Sequence, residues 1–98
     1  MAKKKQTQKI KRRRVTFSLE APGAGEVFLM GDFNQWDPKK HPMKKDEKGV
    51  WKKVLVIPPG TYEYKFMADG HWRMDPRNEN RRQNRFGTYN NLLNLSPK

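Results

Sequence analysis

Apolar and polar residues alternate with a period of two through Val15, Phe17 and Leu19, set against Thr16 and Ser18, until "APGAG" stops the run. That alternation predicts a half-buried strand. A second apolar segment, Val27 to Met30, leads into "GDFNQWDP" (residues 31–38), a stretch dominated by turn residues. "KKDEKG" reads as a charged turn whose Gly49 opens the run Val50 to Ile57. There Trp51, Leu55 and Ile57 occupy one alternation and Val54 and Val56 the other, so the pattern leaves the inward face undecided. "PPG" ends that strand. "TYEYKFMADG" sets Tyr62, Tyr64 and Phe66 against Glu63, Lys65 and Met67, and its Asp69-Gly70 is a two-residue hairpin signal. The aromatic trio is expected to face the core. A return strand over His71 to Met74, a polar connection "RNENRRQN" and a last strand over Thr88 to Leu95 complete the chain. With no segment of helical period, these short strands predict an all-β antiparallel sandwich.

Length confines this to one module, since 98 residues support a single core. The formal charge of +12 changes the picture at the amino terminus. Lys3, Lys4, Lys5, Lys9, Lys11, Arg12, Arg13 and Arg14 are clustered without an acidic residue, and only Ile10 offers an apolar side chain of any size beyond Met1. Residues 1–14 therefore read as a disordered basic arm and residues 15–98 as the module. The bland reading of the arm is a solubilising tail; the sharper one is contact with nucleic acid or anionic lipid through phosphates. The absence of cysteine excludes disulfides and thiolate chemistry. The apolar runs are far shorter than the roughly 20 residues of a membrane span, and the basic start leads into no signal-peptide core, so the expected location is cytoplasmic.

Catalytic chemistry finds little support. Asp32, Asp37, Asp69 and Asp75 occupy turn or pre-proline positions with ordinary structural uses, and Asp46-Glu47 lies in a charged turn. His41 and His71 share no local ligand spacing, so neither a metal site nor a cofactor is expected.

What remains is a set of aromatic and amide residues. If the aromatic trio points inward, Lys65 points outward, and Trp72, just past the hairpin turn, can share its face. Thr88 and Asn90 share one face of the last strand, with Tyr89 and Asn91 on the other. An amide that donates and accepts suits vicinal hydroxyls, and an indole face suits the C–H face of a pyranose. Trp36, carried on a turn where an indole either plugs a core or meets a ligand, joins this set. Trp51, at a strand start, reads as core.

The segments "GDFNQW", "PPGTYEYKFMADGHW", "DP" and "GTYNNLLNL" occur in an order and spacing that resembles the family 48 carbohydrate-binding modules. That family includes the glycogen-binding domain of the AMP-activated kinase β subunit and the amino-terminal modules of glycogen branching and debranching enzymes. The likeness covers about Val15 to Leu95. It implies an immunoglobulin-like β-sandwich that binds α-1,4-glucans such as glycogen, starch and maltooligosaccharides. By motif position it implies that Trp36 and Trp72 stack on glucose rings, Lys65 hydrogen-bonds sugar hydroxyls, and Thr88 and Asn90 supply polar contacts. Phe86 stands where kinase-subunit members usually carry a leucine that inserts into the curl of the glucan. Lys53 departs from the apolar residue usual in relatives. With the chain ending at Lys98, no catalytic barrel is expected, and the module would act alone or recruit a glycogen-metabolism or regulatory protein.

Two rival classes stand beside this reading. One is a basic binder of nucleic acid or anionic surfaces that uses the arm with Arg73, Arg77, Arg81, Arg82 and Arg85, cations that a neutral glucan does not require. The other is a protein-interaction scaffold on the same fold that has lost the sugar.

Overall fold

The computed structural model describes residues 11–97. Its strands, in chain order, are β1 (Arg13–Glu20), β2 (Val27–Gly31), β3 (Lys44–Lys45), β4 (Val50–Ile57), β5 (Gly60–Ala68), β6 (His71–Arg73), β7 (Arg81–Gln83) and β8 (Tyr89–Leu95). One 3-10 turn, Asp32–Asn34, follows β2. Every strand pairing is antiparallel. A three-stranded sheet runs β1-β4-β3, and a five-stranded sheet runs β2-β5-β8-β7 with β6 also paired to β5. The all-β antiparallel sandwich expected from the alternation is therefore the observed fold.

The sheets meet through their apolar alternations. Phe17 and Leu19 of β1 and Trp51, Leu55 and Ile57 of β4 face Leu29 of β2, Tyr64 and Phe66 of β5 and Leu95 of β8. Phe17 bridges the layers edge-on to Tyr64, ring centroids 5.1 Å apart. The face of β4 that the sequence left undecided is thereby settled: Val54 and Val56 point to solvent. Lys53 lies on the inward alternation opposite Phe17 and is half-buried, as a lysine with an apolar stem can be.

Strand β1 begins two residues ahead of the apolar alternation. Arg13 and Arg14 pair with Ile57 and Val56 of β4, and the Arg13 guanidinium donates to the Ser96 carbonyl at 2.8 Å. These two cations of the expected arm thus belong to the sheet; residues 1–10 of that arm lie outside the described residues. At the hairpin, Asp69 (φ 49) and Gly70 (φ 82) are both left-handed, the conformation that favours an Asp-Gly pair.

Strand β5 organises the rest. Tyr64 pairs with Gly31 of β2 on one edge and Asn91 of β8 on the other, while Phe66 pairs with Leu29 of β2 and Arg73 of β6. Strands β8 and β6 therefore share one edge of β5, and the partner changes at Lys65. That change opens the outer face of the sheet where the candidate residues converge.

Candidate functional site

The wall of the site begins where β2 ends. Gly31 passes close over β5: a Cβ there would meet the Glu63 carbonyl oxygen at 2.6 Å and the Tyr64 Cβ at 2.9 Å. After the 3-10 turn, Gln35 (φ 56) and Trp36 (φ 58) are both left-handed, a conformation that costs non-glycine residues roughly 1–2 kcal/mol each. Buried Asn34 offsets that cost. Its Oδ1 accepts from the amides of Gly31 and Trp36, both at 3.1 Å, while its Nδ2 donates to the Leu29 carbonyl at 2.9 Å. The Trp36 indole is also held, because Nε1 donates to Asp32 Oδ1 at 3.1 Å and Asp32 Oδ2 accepts from the Glu63 amide at 2.8 Å. Trp36 is accordingly half-buried and fixed rather than freely exposed on a turn.

Lys65 points outward, as its strand phase predicts, yet it is only 7 % exposed. Met30 sits directly opposite it on β2. Trp72 pairs with Met67, two residues along the same face, and brings its ring to 5.5 Å from the Lys65 Nζ. An ammonium so placed is attracted to the indole face. Desolvation lowers the Lys65 pKa from its ordinary value. On its other side, the ammonium donates to Thr88 Oγ1 at 3.4 Å.

The third wall is the turn between β7 and β8, organised by Asn84. Its Oδ1 accepts from the amides of Phe86 and Thr88, and its Nδ2 donates to Thr88 Oγ1 at 2.7 Å and Asn90 Oδ1 at 3.2 Å. Gly87 (φ 88) supplies the left-handed step of that turn. Phe86 is thrust outward, 78 % exposed, with the Arg85 guanidinium 5.2 Å from its ring. Asn90 is buried and donates through Nδ2 to Glu63 Oε1 at 2.9 Å, while Glu63 Oε2 pairs with Arg82 at 3.3 Å.

Trp36, Lys65, Trp72, Phe86, Thr88 and Asn90 come from four separate segments and line one cleft of about 610 Å³. The two indoles lie edge to face, centroids 6.1 Å apart and planes at 73°. Together they make a bent apolar wall. Trp51 stands apart in the core, its Nε1 donating to the Ala21 carbonyl at 2.9 Å. Sequence reasoning missed Asp32, Glu63 and Asn84, which also line the cleft, and Arg85, read there only as part of a basic surface, lines it too. For Asn84 a signal existed: Asn three residues before Gly in "NRFG" is an Asx-turn pattern. Both cleft carboxylates already accept from protein donors. Among the described residues no cluster of His, Asp and Glu could hold a metal, and no helix is long and apolar enough to cross a membrane.

A bent aromatic wall thus shares one cleft with fixed amide, hydroxyl and ammonium groups, the composition of a ligand-binding module. The chain belongs to the family described as the glycogen recognition site of AMP-activated protein kinase, whose model matches residues 14–98. It is 47% identical over 53 residues to the chloroplastic protein PTST homolog 2 of Arabidopsis thaliana, covering 54% of this chain and 10% of that protein. It is 38% identical over 73 residues to 5'-AMP-activated protein kinase subunit beta-2 of Homo sapiens, covering 74% of this chain and 26% of that one. The crystal structure of a maltogenic amylase from S. marinus superposes with a TM-score of 0.73 at 25% identity, covering 89% of this chain and 14% of the amylase. The chain thus spans a tenth to about a quarter of the length of these relatives.

Proposed function

We propose that this module binds α-1,4-glucan without transforming it, using the cleft between the Trp36 turn, β5, β6 and the β7–β8 turn. The observation that carries the reading is the bent pair of indoles beside Lys65, Thr88 and Asn90, in a chain of a glycogen-recognition family. Indole faces pack against the C–H faces of glucose rings, and planes at 73° suit successive rings of a chain that curls. Fixed polar groups then select orientation: the Lys65 ammonium donates to sugar oxygens, and the Thr88 hydroxyl and Asn90 amide read neighbouring hydroxyls. Because Asn84 and Glu63 hold these groups in place beforehand, little ordering remains to oppose binding. Phe86 adds an exposed apolar edge for the inner side of the curl. Asp32 and Glu63 hold the scaffold in this reading, Asp32 through Trp36 and Glu63 through Asn90. Recruitment of a glycogen-metabolism or regulatory protein to the polymer would raise its effective concentration there.

The test is calorimetric titration with maltoheptaose. Trp36→Ala and Trp72→Ala are each expected to weaken binding by about 1–3 kcal/mol, as for tryptophan hot spots, with the thermal midpoint retained. Binding equal to the parent in both variants would remove the proposed platform.

A further inference from the structure

His41 lies beneath the Trp36 turn and takes no part in the cleft, yet its ring is tied to the residue that sets Trp36. Asn34 Nδ2 donates to His41 Nδ1 at 2.7 Å. The direction of that bond is fixed, because Asn34 Oδ1 already accepts from the amides of Gly31 and Trp36, which leaves the –NH₂ end of the amide for Leu29 and His41. Nδ1 must therefore be bare, and the folded arrangement accommodates only the neutral ring. We infer that Asn34 and His41 are a positioning pair for Trp36 and that protonation of His41 weakens binding at the cleft.

The surroundings agree. Burial lowers the His41 pKa from its ordinary value, and the nearby cations Lys53, from β4, and Lys40, from the same loop, push it in the same direction. The 3-10 turn contributes the Phe33 ring, centroids 6.3 Å apart and edge-on, which is uncharged. The Leu29 amide of β2 donates to the His41 carbonyl at 3.0 Å, and Pro42 bridges to Phe28, so the backbone is anchored while the ring titrates. A proton on Nδ1 sets N–H against N–H. Asn34 must then turn or withdraw, and the amides of Gly31 and Trp36 lose their shared acceptor at two consecutive left-handed residues. Only the neutral ring is held by the fold, so acid favours the unfolded chain. Stability is complete above the unfolded histidine value of about 6.5 and declines as pH falls from there toward the lowered folded value.

The inference rests on glucan binding for its functional side, and its test has a readout that needs no glucan. His41 ring shifts and the Trp36 indole N–H resonance are followed by NMR from pH 7.5 to 4.5, beside maltoheptaose affinity over the same range. The expected result is a Trp36 resonance that moves with the His41 midpoint and an affinity that falls at least about fivefold, the lower end of usual coupling between sites. In His41→Gln, whose side-chain oxygen can accept from Asn34 and does not titrate, both should become flat. In His71→Gln, which removes the other histidine, next to Trp72, both should persist. A Trp36 resonance that ignores His41 titration overturns the inference, as does a pH profile unchanged by His41→Gln. Absence of maltoheptaose binding at every pH would defeat the glucan reading, while the NMR titration would still decide the coupling.

Discussion

Three tryptophans carry the same side chain to different tasks, and the difference lies in what surrounds each ring. Trp51 is 7 % exposed, paired with Leu19 and with its N–H spent on the Ala21 carbonyl at the core edge; Trp72 is 49 % exposed over the Lys65 ammonium. Trp51→Ala should therefore cost roughly 3–5 kcal/mol of stability, the range for emptying a core aromatic site, as read by chemical denaturation. Loss of stability on that scale in Trp72→Ala instead would show that its ring is structural. Strand phase made Lys65 legible as an outward residue and put Trp72 on its face. The burial of Lys65 was not legible, because Met30 and Trp72 impose it from other strands. Nor was Asn34: in a stretch of turn residues, its one distinguishing feature is that its amide is buried and four times bonded.

At the scale of elements, the strands found most easily in the sequence are those whose apolar or aromatic residues alternate with others, β1 and β5, together with the hairpin into β6 that Asp69-Gly70 closes. The sequence locates strand β4 without orienting it, since valines outside and a lysine inside blur the alternation. Strand β7, Arg81–Gln83, reads in the sequence as a polar connection because all three side chains are exposed and its ladder to β8 leaves no trace in hydropathy. Asn90-Asn91, which alone suggests a turn, is strand: Asn91 is fully buried, accepts from the Asp75 amide at 2.7 Å and donates to the Asn78 carbonyl at 3.0 Å. The most exacting junction is that of β2 with the Trp36 turn. Gly31 is extended, so its requirement is space rather than a special dihedral. Gly31→Ala must push β2 from β5, at a cost of about 1–3 kcal/mol typical of overpacking, and should displace the turn as well. Denaturation and maltoheptaose titration of that variant should both register the change, whereas an alanine accommodated at parental stability would mean that the junction yields.

For the whole molecule, charge and binding chemistry point to different places. The cleft mixes Asp32 and Glu63 with Lys65 and Arg85, which gives no net attraction for a polyanion. Much of the surplus of cations lies in the amino-terminal segment, where Lys3, Lys4, Lys5 and Lys9 fall within residues 1–10. Stacking and hydrogen bonds to a neutral polyol are little screened by salt, whereas phosphate contacts weaken steeply as counterions compete. The two chemistries can therefore be separated without any change to the cleft. A chain lacking residues 1–10 keeps Arg13 and Arg14 in β1, and its affinity for maltoheptaose should match the full chain within about twofold, at 50 mM or at 1 M salt, since that ligand carries no charge to screen. Any affinity of the full chain for duplex RNA should fall on the same truncation and vanish at high salt. A maltoheptaose affinity that collapsed with added salt, or an RNA affinity that survived both truncation and salt, would shift the function from the aromatic cleft to the charged surface.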